Sequence, residues 1–282
     1  MSDARAAAPG TLSRPASPGT PARAAAPGTL YLLPVPLGAA RSPLDDLPAA
    51  TIATVRNIDC FVAENARTAR AVLGRMGLAL PLQALAIQEL DQHTPPSRLP
   101  ELLAPLLAGR PMALLSEAGC PAVADPGAAL VALAHREGVP VVPLIGPSAL
   151  LLALMASGMS GQSFAFAGYL PVPAGERHDR IRALERRART EGQTQIVIET
   201  PYRNTSLLGS LLESLAHDTM LGVAAELTLP TQSVRVAAVA RWRSGPAALP
   251  KAPAVFLIGP PAEAVAARAG VSASKARVRP RR

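Results

Sequence analysis

The side chains able to do chemistry are few, and the densest group lies in Ser116–Gly127, SEAGCPAVADPG. This stretch places two carboxylates, Glu117 and Asp125, and one thiol, Cys120, among residues that are otherwise small. Small residues let a ligand approach the backbone, whose N–H and C=O groups then do the binding. Taken alone the loop has two readings: one wall of a cofactor site, or a strand-to-helix connection that needs Gly and Pro for its turns. Cys120 has no evident base nearby and reads as a small buried thiol rather than a nucleophile. A second grouping is Glu64 with Arg67 one turn later, either an ion pair that orients substrate or a pair that caps the helix starting at Ala66. Asp125 and Glu226 are further candidates for a general base. The four histidines, His93, His135, His178 and His217, are dispersed. His135 and His217 fall near helix C-termini, where an imidazole complements the helix dipole. The sequence contains no GxSxG elbow, Walker A loop, HExxH or CxxC. Such scarcity fits a reaction whose reactivity lives in a cofactor. Methyl transfer from a sulfonium donor is one: the protein holds donor and acceptor in line, with no metal and no covalent nucleophile.

The elements that must position these groups alternate. Thr29–Val35 is a strand candidate closed by Pro34, Pro36 and Gly38. Leu47–Val55 reads as a helix, Cys60–Ala63 as a strand with Glu64 at its end, and Ala66–Met76 as an amphipathic helix stopped by Gly77. Leu82–Ile87 is a strand, Pro95–Leu107 a helix, Met112–Leu115 a strand, Ala128–Arg136 a helix and Val139–Leu144 a strand. Gly146–Pro147 breaks the chain, and Ser148 caps the helix that follows. Phe164–Tyr169, Gln195–Glu199, Leu221–Leu227, Thr231–Arg235 and Ala254–Ile258 are strands; Glu176–Arg189, Asn204–Leu215 and Val236–Trp242 are helices. Strands alternating with helices predict parallel βαβ units and an α/β fold class. Two α/β domains, 28–145 and 146–260, would meet near residue 145 with a ligand cleft between them.

The 282 residues are 49% hydrophobic but only 3% aromatic, so the cores are built of Leu, Val and Ala. The net charge of +8 sits in the ends. Arg5, Arg14 and Arg23 oppose only Asp3 in residues 1–27; Arg268, Lys275, Arg277, Arg279, Arg281 and Arg282 oppose only Glu263 in residues 261–282. The body between them is nearly neutral. Residues 1–27 read as a disordered extension of Ala, Pro, Gly and Ser, in which ARAAAPGTL occurs at Ala4–Leu12 and again at Ala22–Leu30. Residues 261–282 read as a solvated basic tail. No apolar h-region of a signal peptide is present, and the longest apolar stretch, Ala149–Ala156, is too short for a membrane span, which needs about 20 residues. Two isolated cysteines, Cys60 and Cys120, and no metal-ligand spacing point to a reduced, cytoplasmic, metal-free protein without a membrane partner.

Seven segments at successive intervals resemble one family. They are Gly28–Gly38 (GTLYLLPVPLG), Ala63–Thr68 (AENART), Ser116–Gly127, Pro143–Ala149 (PLIGPSA), Phe166–Pro171 (FAGYLP), Glu199–Arg203 (ETPYR) and Ala225–Thr228 (AELT). Together they are similar to the tetrapyrrole-methylase-like (class III) S-adenosylmethionine-dependent methyltransferases, nearest the branch that 2′-O-methylates a cytidine of small-subunit ribosomal RNA. The resemblance implies a tetrapyrrole methylase fold, S-adenosyl-L-methionine in the cleft between two α/β domains, and a homodimer. It implies that Pro34, Pro36 and Gly38 approach the cosubstrate. Ser116, Glu117, Ala118 and Gly119, with Asp125, Pro126 and Gly127, surround its methionine part. Ser148, Ala149 and Leu150 open the second domain, and Tyr202, Leu227 and Ala254 fall where backbone encloses adenine. Glu64 and Arg67 are the candidate catalytic groups.

The sequence departs from that branch at Asn65, where the branch has an acid, at Glu117 and Cys120, where it has Asp and Thr, and in Ile87–Thr94 (IQELDQHT), which replaces a His-Asp-His-Asn stretch. The branch also carries a small C-terminal helical region, in whose place a basic tail is expected here. The leading expectation is transfer of a methyl group to a ribose 2′-hydroxyl of ribosomal RNA. The rivals are a tetrapyrrole or other small-molecule methylase, and a non-catalytic S-adenosylmethionine-binding protein.

Overall fold

The computed structural model describes residues 26–245 and 249–263. The expectations for residues 1–25 and for the basic tail beyond residue 263 lie outside the described residues.

The first half is a sheet of five parallel strands: β1 (Leu30–Leu32), β2 (Cys60–Ala63), β3 (Ala86–Glu89), β4 (Met112–Leu115) and β5 (Val141–Pro143). Their spatial order is β3-β2-β4-β1-β5. Helices α1 (Pro43–Asp46), α2 (Ala49–Val55) and α3 (Ala66–Leu73) precede α4 (Leu99–Leu107) and α5 (Ala128–Arg136). Side chains alternate between the faces of a strand. Accordingly Phe61, Ala63, Ala113 and Leu115 join Val55, Val72 and Leu73 in one core, while Cys60, Val62, Met112 and Leu114 join Leu102, Leu106 and Leu130 in the other. Burial on both faces explains why β2 and β4 read as unbroken apolar runs. The chain leaves β1 toward β2 on one side and leaves β4 toward β5 on the other. The loops after these adjacent strands therefore part at a topological switch point, where open α/β sheets place their ligand crevice.

The second half is also five-stranded: β6 (Phe164–Phe166), β7 (Thr194–Glu199), β8 (Met220–Ala225), β9 (Ser233–Ala238) and β10 (Ala254–Gly259), in the order β6-β7-β10-β8-β9. Helices α7 (Ala174–Glu191), α8 (Asn204–Ser214) and α9 (Val239–Ser244) cover one face, with Ile181, Leu207, Leu211 and Trp242 in its core. Helix α6 (Ala149–Ser157) covers the other. Leu37 of the first half packs into that second core, against residues that include Ala149, Leu150 and Leu227.

Several expectations shift. Only β6 and β7 are parallel in the second sheet; β10 runs antiparallel to both β7 and β8, and β8 antiparallel to β9. Alternation of strands and helices fixes that layers form, but strand direction depends on which edge each connection returns to. The strand expected at Leu82–Ile87 begins only at Ala86, because its partner begins at Cys60 and the register pairs Cys60 with Ala86; Leu82–Ala84 is a 3-10 turn. Helix α3 ends at Gly74, not Gly77. Strand β9 runs on to Ala238 because all six of its residues pair with β8, so α9 starts at Val239. Helix α1 was not expected, although Ser42, whose hydroxyl accepts from Leu44 N–H, and Pro43 form a regular helix start.

Candidate functional site

The two sheets face a cleft of about 610 Å³. The first sheet lines it with residues beyond the carboxyl ends of β1 and β4, and the second with Tyr169 after β6, the last two residues of β7, and residues at and beyond the end of β8. The antiparallel direction of β10 brings its start, Ala252–Val255, to the same edge: Ala254 pairs with Glu199 on one side and Ala225 on the other.

Two backbone hydrogen bonds clamp the parting loops of the first sheet. Val35 N–H donates to Gly119 O (2.9 Å), and Gly119 N–H donates to Val35 O (3.1 Å). Gly119 has φ +72° and a Cβ there would lie 3.3 Å from Leu37 Cδ2. Gly127 caps α5 with φ +131°, and a Cβ would lie 2.8 Å from Leu114 Cδ2, so a side chain there would strain the backbone and displace Leu114. Among the described residues four that are not glycine are also left-handed: Ala122 and Ala124 in this loop, Glu226 and Thr228 after β8. Each conformation costs on the order of 1–3 kcal/mol, and such strain gathers where a backbone is shaped for a ligand.

The cleft also has a cross-connection. A Cβ on Gly38 would meet Leu229 Cδ2 at 2.7 Å, so the loop after β1 touches the loop after β8. Arg75 steadies the first of these loops, its Nη1 donating to Ala39 O and Arg41 O at 3.0 Å each, and Arg41 pairs with Asp46. Opposite, the buried Asn204 donates from Nδ2 to Ala252 O (2.7 Å) and fixes the start of β10. Glu199 is 2% exposed. Its Oε1 accepts from Thr200 N–H (2.8 Å), and its Oε2 lies 3.0 Å from Arg203 Nη2 as an ion-pair partner without hydrogen-bond alignment.

Of the residues expected at the cofactor, the cleft brings together Gly38, Glu117, Ala118, Gly119, Asp125, Ser148, Ala149, Leu150, Leu227 and Ala254. Pro34, Pro36 and Ser116 are buried behind its wall. The Ser116 hydroxyl donates to Ala118 O at 3.3 Å. Pro126 and Gly127 lead into α5 and are not among the lining residues. Tyr202 is 95% exposed and also stands apart from the lining. Ser148 occupies the cap position of α6, but its side chain makes no capping bond. Sequence reasoning passed over Thr68, Tyr169, Glu199 and Leu229, all of which line the cleft. The first three lie inside the segments quoted above; Leu229 carried no signal.

The carboxylates converge here. Burial pushes the Glu64 carboxyl above its ordinary range, and the charges of Asp125, Glu117 and Asp91 push it further. Burial likewise raises Asp125, reinforced by Glu117 and opposed by the Ser116 hydroxyl. Tyr169 is raised by burial and by Asp125, Glu199 and Glu64. Burial also raises the Cys120 thiol, which donates to Pro147 O at 3.4 Å and is thus a poor nucleophile. Glu64 and Arg67 do not pair with each other among the described residues. The cap of α3 is instead Asn65, whose Oδ1 accepts from Arg67 N–H (2.9 Å) and Thr68 N–H (3.1 Å), while Glu89 Oε1 accepts from Ala66 N–H. An amide thus does at residue 65 what an acid would do, because a helix start needs only an acceptor.

Residues 29–241 match the family model described as Tetrapyrrole (Corrin/Porphyrin) Methylases. The chain belongs to the tetrapyrrole methylase family. Among curated relatives, the ribosomal RNA small subunit methyltransferase I of Mesorhizobium japonicum is 36% identical over 233 residues, which cover 82% of this chain and 75% of that protein. The protein of the same name from Escherichia coli O157:H7 is 32% identical, over 74% of this chain and 69% of its own. The fold is shared with the methyltransferase CobJ, with a TM-score of 0.55 at 22% identity over 83% of this chain and 94% of that one. It is shared too with uroporphyrin-III-C-methyltransferase from Thermus thermophilus, with a TM-score of 0.50 at 23% identity over 82% of this chain and 92% of that one. The tetrapyrrole methylase described here is accordingly an S-adenosylmethionine-dependent methyltransferase. Its cleft fits that cosubstrate chemically: the volume lies within the range usual for small-molecule sites, roughly 300–1,000 Å³. The wall is largely small residues that expose backbone, and carboxylates stand ready for a cationic sulfonium. Among the described residues no group of His, Cys, Asp and Glu could hold a metal ion, and no helix is long and apolar enough to cross a membrane.

Proposed function

We propose that this methyltransferase acts on a ribose 2′-hydroxyl of small-subunit ribosomal RNA. The observation that carries the reading is the similarity to proteins named ribosomal RNA small subunit methyltransferase I, 31–36% identical over 65–82% of the chain. The character of the cleft supports it. Glu117, Asp125, Glu199 and Glu226 line it, and no Lys, Arg or His is among its lining residues. An anionic wall suits a cationic donor and an uncharged acceptor group, and opposes a tetrapyrrole carrying many carboxylates.

In this reading the division of labour is as follows. Residues 28–145 and 146–260 act as two domains that enclose S-adenosylmethionine, which when bound supplies an electrophilic methyl group. Backbone at Ala118–Gly119 and at Ser148–Leu150 holds its methionine part. Leu227 and Ala252–Ala254, the latter fixed by Asn204, enclose the adenine. Asp125 takes the proton from the acceptor hydroxyl, since a carboxyl raised above its ordinary range is the stronger base. Burial keeps its affinity for protons high, and the charge of Glu117 adds to that. The site works within a cytoplasmic homodimer. Methylation mapping of small-subunit ribosomal RNA from a deletion strain, with and without the complementing gene, tests the reading. One 2′-O-methyl mark should disappear and return; an unchanged map overturns the RNA assignment.

A further inference from the structure

The same anionic cleft poses a problem for an RNA acceptor. A nucleotide brings a phosphate on each side of its ribose, and phosphate contacts are what hold a nucleic acid in register. No cation lines the cleft to receive them. Unpaired cations stand at its edge: Lys251 singly, beside the lining residue Ala252, and two arginines together on α3. Thr68 lines the cleft from the first turn of this helix and donates to Glu117 Oε1 at 3.2 Å. Arg67, immediately before it, and Arg70, one turn later, are both exposed. Residues three apart share a helix face, and that face, Arg67, Arg70, Ala71 and Gly74, is wholly solvent-facing, whereas Ala69, Val72 and Leu73 are buried.

Neither guanidinium has an ion-pair or hydrogen-bond partner among the described residues. This sets them apart from the other arginines around the cleft. Arg41 is held by Asp46, Arg75 by the carbonyls of Ala39 and Arg41, and Arg203 by Glu199. Helix α3 follows a strand of the parallel sheet, so it starts at the cleft edge and runs away from it. Its two free arginines form a short track leading outward from the mouth.

We propose that Arg67 and Arg70 bind the phosphates flanking the target nucleotide, outside the cleft, while the acid-lined interior admits only the ribose. The proposal rests on the RNA reading above and adds the surface that the substrate backbone follows. It divides the work by charge: the carboxylates face the cationic donor inside, and the arginines face the polyanion outside. Each phosphate neutralised should contribute a little under one unit to the slope of log affinity against log salt.

The test compares the full chain with R67Q/R70Q, with the charge-keeping R67K/R70K, and with Arg136→Ala. Arg136 is an exposed cation in the last turn of α5, at the far edge of the sheet. Cosubstrate affinity is read by calorimetry, and methyl transfer to small ribosomal subunits is read over a range of salt. The glutamine pair should raise the KM for RNA at least tenfold and lower the salt slope by nearly two, with cosubstrate affinity unchanged. The lysine pair should recover most of the KM, and Arg136→Ala should match the parent. Transfer by the parent with an unaltered KM and slope in R67Q/R70Q would overturn the phosphate track and leave the RNA reading standing. Cosubstrate binding without transfer to RNA by the parent would instead remove the RNA reading, and this inference with it. A loss that the lysine pair fails to recover, or a loss of cosubstrate affinity in the glutamine pair, would assign these arginines to the structure of the site and overturn the proposal as well.

Discussion

Gly119 and Gly138 form a matched pair for asking whether the clamp between the loops after β1 and β4 shapes the cofactor site. Both are left-handed, at φ +72° and +69°. A Cβ on Gly138 would meet nothing within 4 Å, whereas one on Gly119 would lie 3.3 Å from Leu37 Cδ2 and 3.6 Å from Pro147 O. Placing alanine in this backbone region costs about 1–2 kcal/mol, and both Gly→Ala variants should bear that loss. In a chain of this size it amounts to a fall in Tm of roughly 2–4 °C per kcal/mol. Only Gly119→Ala adds a contact that must be relieved by a few tenths of an ångström. The yielding group is the end of Leu37, which itself lines the cleft and packs against the second half's core. Gly119→Ala should therefore weaken S-adenosylmethionine binding at least tenfold, about 1.4 kcal/mol, while Gly138→Ala leaves it unchanged. Thermal unfolding and titration calorimetry on the two variants and the parent read both quantities. Equal losses of stability with equal, unaltered affinities would refute the idea that the clamp sets the cleft wall.

Two further outcomes follow from the cleft. A carboxyl raised in the folded state favours folding in acid, and that contribution is lost as pH climbs from the unfolded to the folded pKa. Asp125→Asn removes the penalty, so the cosubstrate-free variant should melt above the parent at pH 7 and converge with it below about pH 4, the ordinary aspartate range. A constant difference across the pH series would contradict this assignment of charge strain. Asn204→Ala removes the donor to Ala252 O, a part-buried hydrogen bond that contributes about 0.5–1.5 kcal/mol. It should lower the denaturation midpoint and weaken cosubstrate binding together; lost stability with intact affinity would show that β10 does not need this anchor to shape the cleft.

Much of the fold could be read from local chemistry. β2 and β4 are short apolar runs of four residues, and their ranges Cys60–Ala63 and Met112–Leu115 were legible because parallel strands buried on both faces read as near-continuous apolar runs. Helix α5, Ala128–Arg136, was legible from the Pro-Gly before it and the Gly after it. The loop Ser116–Gly127, which lines the cleft, stood out only in company with the six other segments, since small residues and turns look alike in isolation. What stayed hidden depended on partners distant in sequence. Antiparallel β10 could not be distinguished from a parallel strand, because its apolar pattern is the same in either direction. Leu229 reached the cleft without a motif because its place follows from the touch of Gly38 across the gap.

The sequence by itself determined the layers, the family and the small-residue loop after β4, because composition, periodicity and spacing are properties of short stretches of chain. Only the tertiary structure decided that the charges of Asp125 and Glu117 raise the affinity of Glu64 for protons, that Glu117 raises that of Asp125, and that Asp125, Glu199 and Glu64 raise that of Tyr169. It alone decided that Asn65 rather than an ion pair caps α3, leaving the Arg67 guanidinium without a partner among the described residues. Electrostatics act through space, so the charge of a site emerges only when strands far apart in sequence end at one edge.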